Sequence, residues 1–209
     1  MGGCLLSRFV QKRLSRTDEN TLLRVITVIS GDTTITTMEL KITYFNEPGE
    51  ESTAVVLGIA EERARELSIE YMLIPSVRGA SAEKALDFFW NTNLTLFFVG
   101  TDPARFARET EKRITDSGFK LAFYKHVDYQ YPDAVKNAFR RFGQGTKVAV
   151  EVTLIAAQEE VVESGTEVVA LGGSGKGLDT ALVIMAARSD EFSELEIREI
   201  LCKPRKIKM

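Results

Sequence analysis

The stretch Thr95-Leu96-Phe97-Phe98-Val99-Gly100 decides the fold class. It is nearly all apolar, short, and followed at once by Thr101-Asp102-Pro103, a helix-start signal with proline at the first helical turn. Such a run is the signature of a strand buried on both faces, as in a parallel sheet flanked by helices. On its N-terminal side, Ala80 to Trp90 reads as a helix and Tyr71 to Pro75 as a strand. Further upstream, Val55, Val56, Ile59, Ala60, Ala64 and Leu67 recur at helical spacing, with Glu61 and Arg65 four apart on the wet side. Ser52 or Thr53 is placed to cap that helix, and Glu50 and Glu51 suit its positive end. Lys41 to Phe45 precedes it as a strand, closed by the turn Asn46-Glu47-Pro48-Gly49. On the C-terminal side, the helix opened at Thr101 or Asp102 runs to Gly118, and Lys120 to Tyr124 is a fourth strand. Regular alternation of strand and helix predicts a doubly wound, parallel α/β sheet.

The second half is less regular. Pro132 to Phe142 reads as a helix ended by Gly143-Gln144-Gly145, and Lys147 to Val162 as a buried helix despite its β-branched content. Two β-rich runs, Glu167 to Leu171 and Thr180 to Ala186, flank the glycine loop Gly172 to Asp179. Phe192 to Cys202 fits a short helix or a strand, and a basic tail of Lys203, Arg205, Lys206 and Lys208 follows.

Composition narrows the function classes. The 209 residues are 44% hydrophobic and 27% charged, values of one ordinary globular domain and not of a disordered chain. A net charge of −3 argues against nucleic acid as the partner. No apolar run approaches membrane-spanning length, so no membrane association is expected. Cys4 and Cys202 offer neither a disulfide framework nor a metal-binding pair, which fits a reducing, cytoplasmic setting with no metal site. His126 is the single histidine, so any triad or imidazole cage would have to be built around it.

Residues 1–37 differ from the rest. Arg8, Lys12, Arg13 and Arg16 interleave with Leu5, Leu6, Phe9, Val10 and Leu14, as in a basic amphipathic helix of a transit peptide or membrane-surface segment. Residues 25 to 37 are β-prone and rich in threonine, with a turn expected at Gly31-Asp32. The alternative, which we favour, starts the chain at Met38 and makes the upstream segment an over-extended reading frame. Either way the domain expected is a single α/β unit over residues 38–209.

Several motifs occur together in one order: Tyr44-Phe45-Asn46-Glu47-Pro48-Gly49 with Ser52-Thr53, then Phe142 to Ala157, then Val168 to Ala181, then Glu196 to Arg205. In these the chain resembles the stand-alone proteins built on the C-terminal α/β domain of pyruvate kinase, over Met38 to about Lys206. The resemblance implies a three-layer α/β/α sandwich with a mostly parallel sheet and an antiparallel last strand. It does not imply pyruvate kinase activity, because that chemistry belongs to a barrel of roughly 200 residues or more. It implies a binding or regulatory module, since this domain of the enzyme carries a sugar-phosphate effector site. The stand-alone proteins are associated with flavin mononucleotide, which makes FMN the cofactor to expect here. Two departures stand out. The connection from Tyr124 to Pro132 is shorter than in the family, and Gly79-Ala80-Ser81 replaces its usual glycine, acid and threonine.

Three loops carry the candidate ligand-binding residues. The glycine loop offers Gly172, Gly173, Ser174, Gly175, Lys176, Asp179 and Thr180, whose backbone amides and one lysine suit an anion. It is not a Walker A loop, because Gly177 follows the lysine where a hydroxyl residue belongs and Ala170 stands where the first glycine belongs. A plain hairpin connection explains it nearly as well. The loop after the first strand adds Asn46, Gly49 and Thr53 at a helix N-terminus, with Glu47, Glu50 and Glu51 as opposing charges. An ordinary turn into a helix is the equal alternative there. The loop after the second strand adds Ser76, Arg78, Gly79 and Ser81, with Arg78 the cation that offsets those acids. Glu151, inside the apolar run Val148 to Ala157, is either an acid–base or ligand-binding group or a glutamate with a structural partner. His126 reads as a loop histidine, and Tyr124, Tyr129 and Tyr131 as loop packing or a stacking surface.

The expected function is therefore the binding of a small phosphorylated ligand at the carboxyl ends of the strands. An enzyme using the same pocket, with unknown catalytic residues, and a ligand-free interaction domain that forms a homo-oligomer stand as alternatives.

Overall fold

The computed structural model describes residues 23–30 and 33–207, with side chains from Glu39 onward. The chain divides into two compact units, Met1–Ile42 and Thr43–Met209. In the first, β1 (Leu23–Ser30) and β2 (Thr33–Leu40) form an antiparallel hairpin, paired from Leu23–Leu40 to Ser30–Thr33. Met38 falls inside β2. The turn expected at Gly31-Asp32, the basic amphipathic segment of residues 1–16 and Lys208 of the tail lie outside the described residues.

The second unit is built on a seven-stranded sheet. Its strands are β3 (Thr43–Phe45), β4 (Tyr71–Pro75), β5 (Thr95–Gly100), β6 (Lys120–Phe123), β7 (Glu167–Gly172), β8 (Thr180–Met185) and β9 (Glu196–Pro204). They lie in the order β3-β9-β8-β7-β4-β5-β6. Pairing is parallel between β3 and β9 and throughout β7-β4-β5-β6, and antiparallel on both sides of β8. The strand that runs against its neighbours is thus β8, the penultimate one, and not the last. Otherwise the architecture is the expected α/β sandwich.

The central strands are buried on both faces, as their composition requires. Met72 and Ile74 of β4, Leu96 and Phe98 of β5, and Val169 and Leu171 of β7 pack into one core. That core includes apolar residues of α1 (Thr53–Leu67) and α2 (Ala80–Phe89), and Ile114 of α3 (Arg108–Asp116). The alternate residues Leu73, Phe97, Val99, Val168 and Ala170 face the opposite core, made with α5 (Gln144–Gln158) and flanked by α4 (Asp133–Arg140). Successive side chains of each strand therefore feed two separate cores, the period-two rule applied to a covered sheet.

Several expected boundaries shift for local reasons. Asp102 does start a turn, accepting the Ala104 amide through Oδ1, but the turn is a three-residue 3₁₀ helix over Pro103–Arg105. Phe106 is extended and buried, which separates that turn from α3. Gly145 does not end a helix: it sits in the first turn of α5, which begins at Gln144 and stops at Gln158. Phe192 to Cys202 resolves into a 3₁₀ segment over Ser189–Glu194 followed by β9. Ser52 makes no side-chain cap to α1, and a short 3₁₀ turn at Glu50–Ser52 leads into that helix.

One ion cluster ties α1 to the sheet. The buried Arg63 guanidinium donates from Nε and Nη2 to the two carboxylate oxygens of Glu199 on β9, at 2.8 and 2.6 Å, and from Nη1 to Glu66 at 2.6 Å. These bonds hold the guanidinium charged despite burial, raising its affinity for the proton further. Removing Glu199 strips two charge-assisted bonds from a buried guanidinium that Glu66 alone compensates less well. Glu199→Ala should lower unfolding free energy by about 3 kcal/mol, read from urea denaturation, with an unchanged m-value.

Candidate functional site

Parallel strands bring their carboxyl ends to one edge of the sheet, and β4 is the point where the winding diverges. The chain leaves β4 through α2 to reach β5 on one side, and returns through α5 to β7 on the other. At the carboxyl edge the loop after β4 turns into α2 while the loop after β7 turns back into β8, and ligands usually lie at this edge of open α/β sheets. A cleft of about 920 Å³ lies there. Ser76, Val77 and Arg78 line it from the loop after β4, Gly100 and Thr101 from the end of β5, and Gly173, Gly175, Lys176 and Gly177 from the glycine loop. Residues of α2, α4 and α5, with Glu50 and Tyr124, line the rest.

The glycine loop is fastened from beneath. A Cβ on Gly172 would lie 2.0 Å from the Gly145 carbonyl oxygen, so β7 and the first turn of α5 meet backbone to backbone. The buried Asp179 accepts the Ser174 amide through Oδ2 at 2.9 Å and the Thr180 hydroxyl through Oδ1 at 2.8 Å. Leu178 donates its amide to Thr53 Oγ1 at 3.0 Å, which joins the loop to the start of α1. Gly177 adopts φ +72°, and a Cβ there would meet the Glu50 backbone at 2.6 Å. These ties leave the tip, Gly173 to Gly177, facing the cleft.

Ser76 organises the opposite rim. Its buried Oγ accepts the amides of Gly79 at 3.1 Å and Ala82 at 3.2 Å. Gly79, at φ +107°, turns the chain into α2 with no room for a side chain against Thr110. The amides of Ala80 and Ser81, whose residues line the cleft, have no acceptor among the described residues. They present the positive end of a ten-residue helix to the cleft.

Charge in the cleft is predominantly positive: Arg78, Lys84, Lys136, Arg140, Lys147 and Lys176 face Glu50, Asp133 and Glu151. Three of these cations are paired, Lys84 with Glu50 at 2.6 Å, Lys136 with Asp133 at 3.7 Å and Lys147 with Glu151 at 2.6 Å. Arg140 donates to Gln144 and Asn137. Arg78 and Lys176 are exposed and form no ion pair among the described residues. Glu151, on the inner face of α5, takes the Lys147 ammonium on Oε2 and the Tyr129 hydroxyl on Oε1 at 3.0 Å. Burial and the nearby Glu151 carboxylate push the Tyr129 and Tyr131 hydroxyls well above the usual range, so both stay protonated donors.

The structure thus gathers Ser76, Arg78, Ser81, Glu151, Gly173, Gly175 and Lys176 around one cleft. Gly79, Gly172, Ser174, Asp179 and Thr180 serve as its scaffold behind the lining, while Asn46 and Gly49 are not part of the lining. Thr53 lines a neighbouring groove. His126 is exposed outside the cleft, its ring edge-on to Phe123, and Tyr124 lines the cleft wall. Sequence reading passed over Lys84, Lys136, Arg140 and Lys147. Their signal was the four-residue spacing of Lys136 with Arg140 and of Lys147 with Glu151, which puts each pair on one helix face.

Among the described residues no helix is long and apolar enough to cross a membrane, and no cluster of acids, histidine and cysteine suits a metal ion. No family model matches the chain. A solved pyruvate kinase of Cryptosporidium parvum is similar over 64% of this chain, at 16% identity and a TM-score of 0.39. This chain spans 22% of the length of that enzyme.

Burial without a cation raises the Asp179 carboxyl above its ordinary value of 3.8, although its bonds to Thr180 and Ser174 oppose the shift. The folded state then binds this proton more tightly than the unfolded chain, so its contribution to stability falls as pH rises from the ordinary value through the folded one. Asp179→Asn keeps an acceptor for Ser174 and removes the charge. Urea midpoints measured from about pH 4 to about pH 7 should therefore decline less in the variant than in the parent protein.

Proposed function

We propose that the cleft binds a small phosphorylated ligand, in a binding or regulatory role, with flavin mononucleotide the first compound to try. The observation that carries this reading is the convergence of two unpaired, exposed cations, Arg78 and Lys176, from separate loops at the carboxyl ends of β4 and β7. The same cleft is lined by the free amides at the start of α2 and by the glycine tip, donors that suit phosphate oxygens. Exposed cations without a direct ion pair among the described residues, of which Lys176 feels a nearby carboxylate, Glu50, favour an anion from solution. The same lining holds Tyr124, an aromatic surface, and the paired Lys147 and Glu151, the latter fixed by the Tyr129 hydroxyl. Both oxygens of Glu151 are already engaged, which favours recognition over proton transfer. Pyruvate kinase chemistry is not proposed, since the resemblance in sequence is to the non-catalytic domain of that enzyme. The buried thiol of Cys202, pushed up to about 12 by burial, suits an inert core residue in a reducing compartment such as the cytoplasm.

Titration calorimetry with FMN and with inorganic pyrophosphate tests the reading. Arg78→Gln and Lys176→Gln should each weaken FMN binding about tenfold, the loss of one charge-assisted contact, with melting temperature unchanged because neither side chain is packed. Binding that ignores both substitutions, or no binding by either compound, would overturn it.

A further inference from the structure

A second cavity adjoins the cleft. It is a groove of about 710 Å³ between α1 and α2, and it shares Glu50 and Lys84 with the cleft. The two residues form the bar between them, joined by the 2.6 Å ion pair. Both side chains are about half exposed, at 46% for Lys84 and 49% for Glu50, so solvent screens the pair and little holds the bar closed. Lys84 can exchange the carboxylate for a phosphate without moving its backbone. The groove beyond is mixed in a specific way. Its floor is apolar, made by Leu57 and the exposed ring of Phe88, which lies across α1 where Gly58 leaves room. Its rim carries Glu51, which has no ion-pair partner among the described residues. A part-exposed aromatic ring suits contact with a heterocyclic base, and a carboxylate at the rim suits the hydroxyls of a ribose.

We propose that the ligand is a pyrophosphate-linked dinucleotide. One half occupies the cleft, the pyrophosphate passes Lys84 in place of Glu50, and the nucleoside of the other half lies on Phe88 with its ribose hydroxyls donated to Glu51. This rests on the phosphorylated-ligand reading above and adds the size and chemistry of the ligand to it. The groove continues the cleft past the Glu50–Lys84 bar, so a ligand longer than one nucleotide can extend from one cavity into the other.

FMN and FAD differ only by the adenylate half and make the discriminating pair of probes. FAD should bind at least about tenfold more tightly than FMN, the expected return from one stacked base and one carboxylate–diol contact. Phe88→Ala should remove that advantage and leave FMN affinity unchanged, and Glu51→Gln should reduce it. Melting temperatures of the variants, both at exposed positions, confirm that the fold persists. Equal affinity for FMN and FAD, or an FAD advantage untouched by Phe88→Ala, overturns the dinucleotide proposal while FMN or pyrophosphate binding keeps the phosphate reading. Absence of binding by both FMN and inorganic pyrophosphate overturns the phosphate reading, and the dinucleotide proposal with it.

Discussion

At Gly145 and Gly172 the first turn of α5 touches the end of β7 backbone to backbone, and most of the site depends on that contact. It places α5 so that Lys147 and Glu151, in its first two turns, face the cleft. It also ends β7 at the point where the chain must turn, so the loop that follows projects past the sheet edge. A methyl on Gly172 would run into the Gly145 carbonyl, and one on Gly145 into the side chains of Thr180 and Asp179. Asp179 then closes the loop on itself, a buried carboxylate spent on two local hydrogen bonds instead of on a ligand.

The arrangement divides labour between scaffold and lining within one short segment. Gly172, Ser174, Asp179 and Thr180 are turned inward, and Thr53 reaches across from α1 to hold Leu178. Gly173, Gly175, Lys176 and Gly177 are left to the cleft. The loop after β4 repeats the pattern, with Ser76 consumed as a cap and Arg78 left free. In both loops a hydroxyl or carboxylate that looks ligand-binding in sequence is structural, and the cation beside it is what meets solvent.

How much of this was legible in the sequence follows from range. The strands of the central sheet were readable because burial on both faces imposes an all-apolar run, as at Leu96 to Val99, and no partner needs to be known. The first helix was readable from the apolar spacing of Val55 to Leu67. The break between the turn at Pro103 and α3 was not, because it exists to bury Phe106 against Phe123, a contact between distant segments. The antiparallel direction of β8 is a property of the glycine hairpin, whose length alone permits it. For the site, loops at strand ends were visible as glycine and proline signals. Lys136, Arg140 and Lys147 were not singled out, because helix spacing gives a shared face but not the crevice it confronts. That is set by where the crossover through α5 lands.

The account's central claim is that one phosphate-binding centre lies between the loops after β4 and β7. The most direct measurement is a ¹⁵N–¹H correlation spectrum of the uniformly labelled protein recorded through a titration with inorganic pyrophosphate. The account predicts saturable shifts concentrated on the amides of Ala80, Ser81, Gly173, Gly175 and Lys176, with the core strands unmoved. Shifts scattered over surface lysines without saturation, or centred away from these two loops, would contradict it.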